Sequence, residues 1–328
     1  MKKKIAITIG DPSGIGPEIV LKALTGKNDL YDICRPVVFG HKEILENQAK
    51  QLGIKIVCRE INHPDQVEDT KHGNIYCLAE HKLEKFPPQG QINAQSGRLS
   101  FQYIESAIKY LLENKLSALA TAPINKEAMR QAKVPYLDHT EILTKLTARE
   151  HTMTLFVTGT LRVFFLTRHI AFRDIPSALH KDNIVENLHN SDKYLRQIGI
   201  KNPRLALAAL NPHAGESGMF GDEEKNILRP AVEQAVKEGL NVQGPIAADS
   251  VFQLAKEEIF DAVLSLYHDQ GHIAAKTYDF YRTIALTMGL PFLRTSVDHG
   301  TAMEIAGKNK ANPLSMVEAI RSAALNAW

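Results

Sequence analysis

The chain has 328 residues, 44% of them hydrophobic, and its 39 Lys and Arg against 37 Asp and Glu leave a formal charge of only +2. That length exceeds what one small core needs, so two lobes or one large α/β unit with a cleft are expected. Basic residues are scattered, which excludes an obvious nucleic-acid or anionic-membrane surface, and no apolar run approaches the ~18 residues that span a bilayer.

Residues 5–9 read as a strand. The Met1-Lys-Lys-Lys start imitates a signal peptide, but the apolar run stops at Gly10-Asp11-Pro12, too soon for a secretory core. A helix follows, with Pro17 at its first position and Glu18 in its first turn, and runs to about residue 24. Further strands are expected at 37–39, 54–58, 75–78, 116–121, 154–157, 163–166, 205–210, 262–266 and 284–287. Helices are expected at about 42–52, 94–114, 181–197, 222–237 and 314–326, with a helix-like stretch at 141–146. The second of these places Leu99, Tyr103, Ala107, Ile108 and Leu111 on one face. Strands alternating with such helices indicate βαβ units and a largely parallel sheet. Residues 84–95, with Pro87-Pro88 and Gly90, are the one linker-like segment. Cys34, Cys58 and Cys77 are odd in number, lie in or beside apolar runs and lack CxxC spacing, which suits reduced thiols in a cytoplasmic protein.

Three apolar runs end within a few residues in a histidine: residues 163–166 before His169, 205–210 before His213, and 262–266 before His268. Ligands collect at the carboxyl ends of strands in open α/β sheets, so three imidazoles there are candidates to converge on one divalent metal. No HExxH or CxxC spacing adds to this, and convergence rests on fold logic alone. Asp174, Glu216 and Asp269 are near in sequence as oxygen ligands or as acceptors that fix the imidazole tautomers.

The loop Gly10-Asp-Pro-Ser-Gly14-Ile-Gly16-Pro-Glu18 joins the first strand to the first helix, where backbone N–H groups can face an anion. It is neither a P-loop nor a GxGxxG fingerprint; a tight turn with glycines at positive φ is the plain alternative.

This loop, together with Asp298-His-Gly-Thr-Ala-Met-Glu-Ile-Ala-Gly-Lys-Asn-Lys-Ala-Asn-Pro313, resembles the β-decarboxylating dehydrogenases, the isocitrate and isopropylmalate enzymes. The departures are two inserted positions in the first loop and Met303-Glu304 where Pro-Asp is usual. A narrower resemblance covers nearly the whole chain. Thr121-Ala-Pro-Ile-Asn-Lys126, Asp138-His139-Thr140-Glu141, Thr167-Arg-His169, Asn211-Pro-His-Ala-Gly-Glu216, Tyr267-His-Asp-Gln-Gly271 and residues 289–302 are similar to the 4-hydroxythreonine-4-phosphate dehydrogenase family, whose paralogues include D-threonate and D-erythronate 4-phosphate dehydrogenases.

That resemblance implies two α/β/α lobes with an active-site cleft: residues 1–125 with 275–328 as a cofactor lobe containing both termini, and 126–274 as the substrate, metal and dimerisation lobe. It implies His169, His213 and His268 as ligands of a divalent metal (Zn, Mg, Mn or Co), supplied by both subunits of a homodimer with a shared active site. His139, Thr140, Lys276 and Arg294 would hold a small phosphorylated hydroxy acid. His299, Gly300, Ala302 and Asn312 would hold NAD or NADP. The family's asparagine in the substrate group falls at Ala285, so Thr283 or Thr287 substitutes for it or the substrate differs there, and Asn125 before Lys126 replaces a histidine.

The implied reaction oxidises a secondary alcohol β to a carboxylate with NAD and then releases CO2. Asp249 and Asp269 are the candidate proton acceptors; helix capping, or accepting a hydrogen bond from a ligand histidine, is the other role open to each. The competing readings are an aromatic dihydrodiol-dicarboxylate dehydrogenase of the same family, a metal-dependent hydrolase, an acyl-phosphate transferase of related fold and a silent binding protein. No nucleic-acid or membrane partner is expected.

Overall fold

The computed structural model describes residues 2–68 and 71–328, and the chain divides into two compact units, Met1–Thr152 with Ile284–Trp328, and Met153–Thr283. In chain order the first unit contributes β1 (Lys3–Thr8), α1 (Gly16–Thr25), α2 (Leu30–Ile33), β2 (Cys34–Phe39), α3 (Lys42–Leu52), β3 (Val57–Glu60), β4 (Asn74–Leu78), α4 (Ala94–Leu112), β5 (Ala118–Thr121), α5 (Lys126–Gln131) and α6 (His139–Leu146). The second unit follows with β6 (Met153–Thr158), β7 (Leu161–Phe165), α7 (Lys181–Gln197), β8 (Leu205–Ala208), a π-helical turn at Glu224–Leu228 continuing into α8 (Arg229–Lys237), β9 (Val242–Ile246), α9 (Ala248–Lys256), β10 (Ala262–Ser265) and α10 (His268–Tyr278). The chain then returns to the first unit through β11 (Ile284–Met288), β12 (Leu293–Val297) and α11 (Leu314–Asn326).

In the first unit the strands lie in the order β3-β4-β2-β1-β5-β12-β11, parallel except for the antiparallel β11/β12 pair. β1 and β5 are buried almost without polar alternation because helices cover both faces, as parallel strands require. Ile5, Ile7, Ile19, Leu21, Phe39 and Leu45 are fully buried there. α1 has no side-chain N-cap and relies on Pro17 and Glu18, while Asn93 caps α4 by accepting from the Ser96 N–H at 2.8 Å.

The second unit orders its strands β6-β7-β10-β8-β9, with β6/β7 an antiparallel hairpin and the remainder parallel. β7, β10 and β8 are adjacent parallel neighbours, so the chain leaves all three at the same sheet edge.

The sequence reading divides the chain at 125/126 and 274/275; the compact units divide at 152/153 and 283/284. α5 and α6 pack on α4, which holds residues 126–152 in the first unit, and α10 packs on β6, β7 and β10, which holds 275–283 in the second. Two strands escaped the pattern: β12 carries Arg294, Thr295 and Ser296, and β9 is an edge strand interrupted by Gly244-Pro245. The strand expected at 54–58 begins later, at Val57, and the expected helix at 222–237 opens as a π turn. Among the described residues no helix is long and apolar enough to cross a membrane. All three cysteines are free and buried.

Candidate active site

His169, His213 and His268 follow β7, β8 and β10, so all three issue from carboxyl ends of adjacent parallel strands. The rings of His169 and His268 lie 6.0 Å apart, centroid to centroid. His213 is on an exposed turn, its ring 6.4 Å from that of Phe220, and residues 213–217 all take left-handed backbone with φ between 40° and 77°. Four of those five are not glycine, and each such residue costs roughly 1–2 kcal/mol. Among the described residues no three His, Cys, Asp or Glu side chains come together as a metal site within one copy of the chain.

The donor chemistry nonetheless fits a metal at His268. Its Nδ1 donates to Asp269 Oδ1 at 2.6 Å, which fixes the tautomer and leaves Nε2 with its lone pair. Gln270 accepts from the Leu266 N–H at 2.7 Å and donates to the Ala209 carbonyl at 2.7 Å, tying the end of β10 to that of β8. Buried Glu224 grips the chain toward His213, accepting from the N–H groups of Leu210 and Asn211 at 2.9 and 2.7 Å. A Cβ at Gly271 would lie 2.6 to 2.8 Å from Phe165, Val163 and Ser265, so only glycine lets α10 sit this close to the sheet. Sequence reasoning missed Gln270 and Glu224 as supports; only the position of Gln270, inside the Tyr267-to-Gly271 motif, pointed to it.

A cavity of about 660 Å³ is lined by Asp249, Asp269, Tyr267, Gln270 and Ile273, among others. A second, about 300 Å³, is lined by Arg168, His169, Phe172, Tyr267, His268 and Asp269. Asp249 is in the first turn of α9 without capping it, its Oδ1 accepting from Ser250 Oγ at 2.9 Å. Asp269 already accepts from the ring of His268, whereas Asp249 accepts from its neighbour Ser250. Glu216 is exposed on the left-handed turn, and Asp174 is a 3₁₀ residue after His169.

In the first unit, Arg294 is buried on β12 with its guanidinium held by hydroxyls alone. Nε and Nη2 donate to Thr121 Oγ1 at 3.1 and 2.8 Å, and Nη1 donates to Thr287 Oγ1 at 3.1 Å. Burial pulls its pKa down to about 10, against the opposing charge of Asp138. His139 opens α6 beside it, held neutral well below the ordinary imidazole range by burial and then by Arg294, and its buried Nε2 has no hydrogen-bond partner. Asp138 caps α6 by accepting from the Glu141 N–H at 3.1 Å, and Thr140 follows in the first turn. A buried cation, an unpartnered imidazole nitrogen and a helix start are chemically suited to an oxyanion.

Ala285 and Thr287 alternate on β11, paired with Ser296 and Arg294 of β12. Thr287 therefore faces the guanidinium, while the Thr283 hydroxyl is committed to the Asp279 and Ala275 carbonyls. Lys276 lies in the second unit, its Nζ 5.6 Å from the ring centre of Phe280.

The first loop and the 298–313 segment meet at Thr301. The Ile15 N–H donates to its carbonyl at 3.0 Å, Asn125 Nδ2 reaches its hydroxyl at 3.4 Å, and a Cβ at Gly14 would collide with it. Gly10 and Gly16 pack as tightly on the backbone of Pro123 and Ile9. These glycines answer to chain packing, and only Gly10 has positive φ. His299 donates from Nδ1 to the Gly300 carbonyl at 3.0 Å and pairs through Nε2 with Ser315 at 3.1 Å, Ala302 takes left-handed backbone, and Asn312 accepts from the Leu314 N–H. A Cβ at Gly300 would meet nothing within 4 Å, so the surface there is open, as a segment receiving a dinucleotide needs.

Parallel α/β units with histidines at strand ends and a buried guanidinium beside an unpartnered imidazole make an α/β protein with a site open to an anionic ligand. Residues 32–323 match the family described as pyridoxal phosphate biosynthetic protein PdxA. The chain is 47% identical to a protein of Halalkalibacterium halodurans named "Putative D-threonate 4-phosphate dehydrogenase", over 99% of this chain and 97% of the relative. A protein of the same name from Symbiobacterium thermophilum is 45% identical over 97% of this chain and 94% of its own length. Among solved structures, the 4-hydroxythreonine-4-phosphate dehydrogenase of Klebsiella pneumoniae superposes with a TM-score of 0.91 at 38% identity, covering 100% of this chain and 99% of that one. The chain belongs to the PdxA family and has its isocitrate-dehydrogenase-like fold, and it is a dehydrogenase acting on a CH–OH group.

Proposed function

We propose that this chain oxidatively decarboxylates a 4-phosphorylated 3-hydroxy acid with a hydroxyl at C2, D-threonate 4-phosphate or D-erythronate 4-phosphate, giving dihydroxyacetone phosphate and CO2. The observation that carries this choice is the 47% identity, over nearly the full chain, to a relative bearing the threonate name. Ala285, which cannot offer the hydrogen bond of the family's asparagine, supports a substrate that differs from the amino acid at that end.

Arg294 with His139 and Thr140 receives the phosphate, and Lys276 adds a further positive charge to the substrate. Thr121 and Thr287 orient the guanidinium so that its planar fork presents more than one N–H to the anion. Neutral His139 contributes Nε2–H as a donor to the phosphate without adding repulsion to the cation. His169, His213 and His268 hold the divalent metal, and His299, Gly300, Ala302 and Asn312 hold NAD. A metal held there would supply Lewis acidity that lowers the pKa of the substrate hydroxyl and steadies the charge left by decarboxylation, and NAD held there would supply the hydride acceptor. Asp269 fixes the tautomer of His268, and Asp249, on the cavity it shares with Asp269, takes the hydroxyl proton on its carboxylate.

A second copy of the chain completes the site. Ile170, Phe172, Met219, Phe220 and Ile273 are exposed apolar residues within a few positions of the three histidines, Phe172 at 75% and Met219 at 73%. A dimer that covers them also brings histidines from two copies together. The free thiols suit a reducing cytoplasm.

The test follows NADH absorbance with D-threonate 4-phosphate, D-erythronate 4-phosphate and 4-phosphohydroxy-L-threonine, each with NAD and Zn, Mg, Mn or Co. Turnover of a hydroxy acid in preference to the amino substrate is expected. Preference for the amino substrate overturns the choice of substrate, and no NADH with any of the three overturns the reaction.

A further inference from the structure

His272 lies one helical turn after His268 on α10, just beyond the Tyr267-to-Gly271 motif, and none of the roles above uses it. Its ring is stacked on that of His268, centroids 3.7 Å apart and planes 13° from parallel. Its Nδ1 donates to the His268 carbonyl at 2.8 Å. On the protein side the same ring meets two core aromatics, Phe156 of β6 at 4.2 Å and Phe165 of β7 at 4.6 Å, whose own rings are 5.2 Å apart. A continuous aromatic path therefore runs from the buried sheet through His272 to His268.

We infer that His272 is a positioning residue for the metal site: its stacked ring sets the plane of the His268 imidazole and so the direction in which Nε2 points. The inference rests on the reading that His268 is a metal ligand. The hydrogen bond to Asp269 fixes the tautomer of His268 but leaves the ring free to swing about that contact, since one hydrogen bond constrains a direction and not a plane. A parallel face 3.7 Å away removes that freedom. Orientation of a ligand imidazole by its neighbours is commonly worth 10–100-fold in metal affinity. His272 itself cannot swing, because Phe156 and Phe165 hold it and its own Nδ1 is tied to the helix backbone.

The experiment measures Co(II) affinity and the visible absorption of the Co(II)-loaded full-length protein for the wild type, His272→Phe, His272→Leu and His268→Ala, with the melting temperature of each metal-free protein. We expect His272→Leu to weaken Co(II) binding about tenfold and alter the visible bands, while His272→Phe, which keeps a flat ring, stays within about threefold of the wild type. Melting temperatures of the metal-free proteins should not follow this order. If His272→Leu binds and absorbs like the wild type, or His272→Phe is impaired as much as His272→Leu, the inference is overturned. If instead His268→Ala binds Co(II) as tightly as the wild type, it is the underlying assignment of His268 that fails.

Discussion

Glu18 of α1 accepts the backbone N–H of Ala311 on its Oε1 at 2.9 Å, and the same oxygen takes Lys22 Nζ at 2.7 Å. Lys22 in turn donates to the Ala311 carbonyl at 2.9 Å. The acidic residue that ends the first loop motif thus anchors the 298–313 segment almost 300 positions away. Glu18→Ala should lower unfolding free energy by about 2–4 kcal/mol, because it strands a half-buried lysine and a buried N–H. The KM for NAD should rise more than kcat falls. Urea unfolding and NAD saturation curves check both; an unchanged KM would separate the anchor from cofactor binding.

Asp11 is fully buried in the first loop, accepting from the Ser13 N–H at 2.8 Å, and burial lifts its pKa from an ordinary 3.8 to about 6. Its folded pKa is raised, so its contribution to stability is fully present below pH 3.8 and is lost as pH rises through about 6. Asp11→Asn keeps an acceptor for Ser13 and removes the titration. The gain in stability of the variant over the wild type should be larger at pH 7 than at pH 4, by at most about 3 kcal/mol. Melting temperatures of the two proteins between pH 4 and 8 read this directly. His139, held neutral in the fold, costs stability as pH falls through the imidazole range, but equally in both proteins.

Arg294 has its Nη1 satisfied by Thr287 alone. Thr287→Val should raise KM for a phosphorylated substrate about tenfold with a smaller change in kcat, since one hydrogen bond to a charged group is worth roughly 1.5–3 kcal/mol. Arg294→Lys should cost about 100-fold or more in kcat/KM, because a point charge cannot bond both threonines and the anion. Wild-type saturation by substrate in Thr287→Val would remove Thr287 from the receptor.

His213 is exposed on its left-handed turn, so His213→Ala should fold with a melting temperature within a few degrees of the wild type. Under the proposed role of His213 in holding the metal, turnover should nevertheless fall by about 100-fold or more. Dialysis against a chelator should abolish NADH formation, and added divalent metal should restore it. Full activity after chelation would remove the metal from the reaction.

The parallel α/β architecture was legible because buried strands such as 5–9 and 262–266 are continuous apolar runs and helices such as 42–52 and 314–326 keep one apolar face. The same runs put His169, His213 and His268 at strand ends. β12 was illegible because its threonine, serine and arginine are polar residues buried by tertiary hydrogen bonds, and local pattern cannot count those. Helix α10 is not legible because it begins almost directly at the end of β10, without the turn residues that mark a start.

The chain by itself therefore determined which residues are candidates to carry the chemistry, since residue type and nearness to a strand end are properties of short segments. Only the tertiary structure decided which of them meet. It turned Thr287 and not Thr283 toward Arg294, set His272 against His268, and among the described residues brought no three His, Cys, Asp or Glu side chains together as a metal site within one copy. Those outcomes depend on strand register, helix docking and backbone hand, which arise from contacts between segments far apart in the chain.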